Sequence, residues 1–307
     1  MSNALTHNLT LDKSSTKDSN LPSPNLPAEP AASVESVLNT AVISGNSTFL
    51  VRLLKRGLRS VLPWVVPIFV VVFWQIAAQT GWLSSRVLPA PFAVAKAFYT
   101  LGESGELWRN VSISAWRAFT GFVVGGGLGL VFGLLTGSVK LAETLLDTTF
   151  QMIRNIPALA LIPLVILWFG IEESAKLFLV SVGVFFPIYI NAFHGIRSVD
   201  PALIEMGRSY GLNKWQLYWQ IILPGALPSI LVGVRFSLGL VWVLLIVSET
   251  ISAQSGIGYM TMNAREFLQT DIVLVGILLY AILGKLADVL ARVLERYWLR
   301  WHPGYQS

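Results

Sequence analysis

The chain has 307 residues, of which 54% are hydrophobic and only 13% charged, with a mean hydropathy of +0.62. Average proteins carry about 25% charged residues, so this balance excludes an ordinary soluble domain and points to an integral membrane protein. The lack of cysteine excludes disulfide frameworks and thiolate metal sites, and the net charge of +5 is scattered beside apolar runs without any nucleic-acid recognition motif.

Residues 1–50 are dominated by Ser, Thr, Asn and Pro and bury too little apolar surface to offset the entropy of ordering, so a disordered tail is expected there. No basic segment precedes a short apolar run near Met1, which argues against a secretory signal. The first apolar run follows Arg52, Lys55, Arg56 and Arg59, and reads as an uncleaved signal anchor opening a membrane domain over 51–302. A helix crossing roughly 30 Å of hydrocarbon needs about 20 residues. Six runs meet that, near 62–80, 113–136, 145–169, 175–193, 225–248 and 272–292. The expected fold is therefore all-α, with six transmembrane helices.

With the amino end inside, the inner flanks hold eleven Lys and Arg residues and the outer loops five. The positive-inside rule then places both termini, and the polar loop 195–224, in the cytoplasm. In the second run Gly121, Gly125, Gly129, Gly133 and Gly137 recur every fourth residue. Glycines so spaced make one helix face flat enough for another backbone, either within this chain or across a seam with a second copy. Pro157, Pro163 and Pro187 each remove a backbone donor inside a run and are candidate kinks.

The loop 195–224 carries the most informative spacing: Glu205, then Gly211 after five residues, then Ile221, Leu223 and Pro224 after nine more. Asp200 and Pro201 suit the N-cap and first position of a short helix, and Gly211 suits its left-handed end. Arg235 lies 11 residues beyond Pro224, about 16 Å further along its helix. An unpaired cation at that depth is expensive, so Arg235 must meet an acid, carbonyls, water or a passing anion. Arg154 and Asn155 form a second polar pair, just before Pro157, and Lys285 can meet Asp288 one helical turn on.

No Gly-x-x-x-x-Gly-Lys-Ser/Thr loop, zinc-binding His pair or nucleophile elbow occurs, so neither catalytic nor metal-binding residues are assigned. An ion-gradient transporter would place an acid near mid-membrane, and an intramembrane enzyme would pair acids or a nucleophile with a base within the spans. Apart from Asp288 the acids sit at span ends or in loops.

The loop spacing resembles the cytoplasmic EAA loop of ABC importer permeases, with Met206 and Gly207 standing where that loop carries two alanines. The stretches 152–157, 161–170, 186–191, 223–229, 248–253 and 262–271 are similar to permeases of the aliphatic sulfonate ABC importers, a group that also serves taurine, nitrate and bicarbonate. The resemblance spans about 62–302. It implies a type I importer permease of the bacterial inner membrane, working as a homodimer with two ATPase subunits and an extracytoplasmic sulfonate-binding protein. ATP and Mg would be used by the ATPase partner, leaving this chain without a cofactor. It further implies that Glu205, Met206, Gly207, Gly211, Ile221, Leu223 and Pro224 couple to the ATPase. Arg235, Arg154 and Asn155 are the candidates for the translocation path.

Overall fold

A computed structural model describes residues 62–84 and 86–301. From Pro67 onward the described residues form one compact unit. The expected tail over 1–50 and the basic flank before the first span lie outside the described residues. Among the described residues every regular element is helical: α1 (Leu62–Gln79), α2 (Pro91–Glu103), α3 (Glu106–Ser138), α4 (Lys140–Ile153), α5 (Ala158–Phe169), α6 (Glu173–Arg197), α7 (Pro201–Ser209), α8 (Lys214–Ile251), α9 (Ile257–Glu266) and α10 (Thr270–Trp298).

Five helices, α1, α3, α6, α8 and α10, are long and apolar enough to cross a membrane. The third expected span, 145–169, is not one helix. α4 and α5 meet at 81°, and only as a bent pair do they make a sixth span. Pro157 accounts for the break, since it has no N–H to offer and disfavours helical geometry at Ile156 before it. Pro163 sits in the opening turn of a helical segment, where its missing donor costs nothing, and Pro187 is absorbed inside an unbroken α6. The short helices α2 and α9 are not marked by any apolar run.

α6 is the middle layer, packed between α3 and α8. A Cβ added at Gly121 would meet Val180 at 2.5 Å, one at Gly129 the Phe185 carbonyl at 2.5 Å, and one at Gly133 the Tyr189 carbonyl at 2.7 Å. One at Gly125 would strike the backbone of Ser181. The glycine stripe therefore seats α6 within the same chain. Val180, Val184 and Ile188 of α6 pack at once with Ala118 of α3 and with Val241, Leu244 and Leu245 of α8. A second cluster joins Val94 and Leu101 of α2 to Ile257 and Met260 of α9 and to Val275 and Leu279 of α10. It closes the end of the bundle opposite α7.

Candidate functional site

At one end of the bundle the loop 195–224 folds into α7 and the start of α8. The Asp200 carboxylate accepts from the Ala202 N–H at 2.8 Å, capping α7 ahead of Pro201. The helix stops at Gly211, whose φ of +80° lies in the left-handed region. Asn213 and Gln216 then form a reciprocal capping box, at 2.8 and 3.0 Å, that starts α8. A π-helical turn over Tyr218–Ile222 directly precedes Pro224, whose ring supplies no backbone N–H to the ladder.

The residues singled out in this loop divide into two groups. Gly207 is buried, and a Cβ there would come within 2.5 Å of Ile221 and 2.7 Å of Leu217, so its lack of a side chain lets α7 lie against α8. Leu223 packs on the cluster of Ala192, Ile196, Ala226 and Ile230, with Pro224 half-buried beside it. Glu205, Met206 and Gly211 face outward instead. With Leu203, Tyr210, Trp215 and Trp219 they present an apolar and aromatic surface, Tyr210 being 81% exposed.

Arg235 lies on α8, with α10 beside it. Its Nε and Nη2 both donate to Asp288 Oδ1, at 3.1 and 2.9 Å, and its Nη1 donates to Glu295 at 3.4 Å. Lys285 reaches the other oxygen of Asp288 at 3.5 Å, and Arg292 reaches it at 2.9 Å. Arg154 and Asn155 sit at the bend between α4 and α5, where the Asn155 amide donates to the Gln151 carbonyl at 3.0 Å. Among the described residues no hydrogen bond or ion pair joins that pair to Arg235.

The opposite end holds a polar cluster that span-by-span reading passes over. Arg117 is 2% exposed, and all five of its N–H donors are engaged. Two go to the Glu173 carboxylate at 2.6 Å each, one to Glu249 at 2.7 Å, and two to the carbonyl and hydroxyl of Ser255 at 2.6 and 3.0 Å. The 1%-exposed Glu249 also accepts from Ser114 at 2.8 Å, the Gly258 N–H at 2.9 Å and Tyr280 at 3.1 Å. Ser114 and Asn110 in turn accept from the N–H groups of Ile257 and Gly256, at 2.9 and 3.0 Å. Lys176 balances Glu173 at 3.2 Å, so two cations meet two acids. The sequence signal was an Arg inside the apolar run 113–136, which calls for a buried acid. Glu249, one residue past the end of the run 225–248, was counted outside it.

The fold and its sites can now be set beside known proteins. Residues 127–300 match the family described as binding-protein-dependent transport system inner membrane component. The aliphatic sulfonates transport permease SsuC of Escherichia coli K12 is 63% identical over 82% of this chain and 95% of its own length. The SsuC of Bacillus subtilis 168 is 45% identical over 79% and 88%, and the taurine permease TauC of Escherichia coli K12 is 35% identical over 76% and 86%. An amino acid ABC transporter crystal structure superposes with a TM-score of 0.53 at 18% identity, covering 65% of this chain and 97% of that one. A bacterial alginate ABC transporter gives 0.54 at 15% identity, covering 79% and 96%. At such low identities these structures speak for the fold alone. Family match, sequence identity and fold agree: the chain belongs to the inner membrane components of binding-protein-dependent transport systems, as a multi-pass, all-helical permease subunit of an ABC importer.

Proposed function

We propose that this permease imports aliphatic sulfonates, as a homodimer joined to two ATPase subunits and fed by an extracytoplasmic sulfonate-binding protein. The observation that carries the substrate is the fall in identity from 63% and 45% for the two sulfonate permeases to 35% for the taurine permease. In this reading both termini and α7 are cytoplasmic, as the charge count favours. Nucleotide and Mg belong to the ATPase, for this chain has no phosphate-binding loop.

Coupling runs through the outward group at α7, Glu205, Met206 and Gly211, while Gly207, Ile221, Leu223 and Pro224 carry its movement into the bundle. ATP-driven closure of the ATPases would shift the balance between inward- and outward-open states, acting only through contacts that differ between them. Arg235 lies on the path, and Arg154 and Asn155 line it nearer the α4–α5 bend. The test is uptake in a strain lacking this permease, complemented with this chain and offered alkanesulfonates, taurine, nitrate and bicarbonate. Alkanesulfonates should be taken up best; preference for taurine, nitrate or bicarbonate would reassign the substrate.

A further inference from the structure

Around Arg235 the structure brings together two things that an anion with an apolar tail requires. Val232, Arg235, Phe236, Gly239, Leu240 and Val243 fall at helical spacing on one face of α8 and line an open cavity of about 480 Å³. Its lining is apolar except at one end, where Arg235 meets Asp288. The guanidinium there is paired in an unequal way. Asp288 gives Arg235 only Oδ1, while Oδ2 is held by Lys285 and Arg292 from its own helix. Three cations therefore surround one carboxylate, with Glu295 as the second acid, which leaves a local excess of one positive charge.

We propose that this face is an anion subsite in which a sulfonate headgroup takes the place of Asp288 on Arg235 and its alkyl tail lies along Val232, Phe236 and Leu240. The proposal rests on the reading of the chain as a sulfonate importer. An oxyanion matches the fork of Nε and Nη2 that Asp288 now occupies through a single oxygen. The exchange leaves no buried charge without a partner, since Asp288 keeps Lys285 and Arg292, and Arg235 keeps Glu295. Asp288 is thus a resident competitor that limits how long the anion stays, the property a transit site needs.

The chain has no cysteine, and a Cβ at Gly239 meets no atom within 4 Å, so Gly239→Cys places one tolerated thiol in the cavity wall. The complete importer carrying it is reconstituted in phosphatidylcholine, and labelling of this subunit by a neutral maleimide is timed. Hexanesulfonate should slow labelling severalfold and methanesulfonate less, whereas hexanol and sulfate should not slow it. Arg235→Gln should abolish the protection, and Arg235→Lys should retain part of it. Asp288→Asn should lower the half-protecting concentration severalfold while slowing uptake. Equal protection by hexanol would overturn the role of Arg235, and protection by phosphatidylglycerol without sulfonate would assign the site to lipid. A thiol unreactive under every condition would mean that the cavity is closed to solutes in the assembled importer, and would overturn the subsite. Absence of protection alongside normal sulfonate uptake would sink this subsite alone, whereas absence of sulfonate uptake by the wild type would sink the functional reading beneath it.

Discussion

Gly211 and Glu249 mark two different ways in which a single residue matters here. Gly211 has no atom near the position of a Cβ, so only its positive φ resists substitution. Asp tolerates that conformation better than most residues, and its strain stays near 1 kcal/mol. Gly211→Asp should therefore leave the permease at normal abundance in the membrane, yet abolish uptake by placing a carboxylate on the surface proposed to meet the ATPase. Normal transport at equal abundance would remove α7 from coupling. Glu249 is the reverse case, buried and fully bonded. Removing one partner of such a pair costs about 3–5 kcal/mol, because the charge left behind has no water to solvate it. Glu249→Leu should cut membrane abundance sharply and lower the unfolding temperature of what remains, and Glu249→Gln should do so less. Wild-type abundance of Glu249→Leu would show that Glu173 and Ser255 alone satisfy Arg117.

At the scale of elements, the glycine stripe makes a sharper statement than hydropathy can. Gly125→Val and Gly129→Val should each force α3 away from α6 and deplete the folded protein, whereas Gly127→Val, whose added Cβ meets no atom within 4 Å, should be accepted at near wild-type abundance. Immunoblots of membrane fractions decide it, and equal loss in all three would mean that the stripe is not what seats α6. The spacing of those glycines was plain in the sequence, but not which helix they receive, because a flat face does not name its partner. The same holds for the long helices. Their apolar runs and the kink at Pro157 are legible, being local, while the seat of the amphipathic α9 depends on its contacts with α3, α8 and α10. The α7 caps were readable because Asp200, Pro201 and Gly211 act on their own backbone. Arg235 was recognisable as a cation in need of a partner, but Asp288 and Glu295 lie 53 and 60 residues away. Only the fold could select them.

At the scale of the molecule, the orientation of the bundle decides which end meets the ATPase. A cysteine at the exposed Gln254 should react with an impermeant thiol reagent in intact cells, and one at the exposed Ser198 should react only after lysis. The opposite pattern would place α7 outside and overturn the proposed coupling. Arg117 carries a consequence for how the protein is made. It stands four residues inside the apolar run 113–136, yet Glu173 is 56 residues and Glu249 132 residues further along the chain. When α3 leaves the ribosome neither acid has emerged from it, and the guanidinium would have to rest among lipid headgroups with its stem laid along the helix. Glu173 arrives with α6, and Glu249, Ser255 and Tyr280 only with α8, its following loop and α10. Biogenesis thus ends with the withdrawal of a lipid-facing cation into the protein, and a chain released before Glu249 would display to the membrane's quality control an arginine that the finished permease hides.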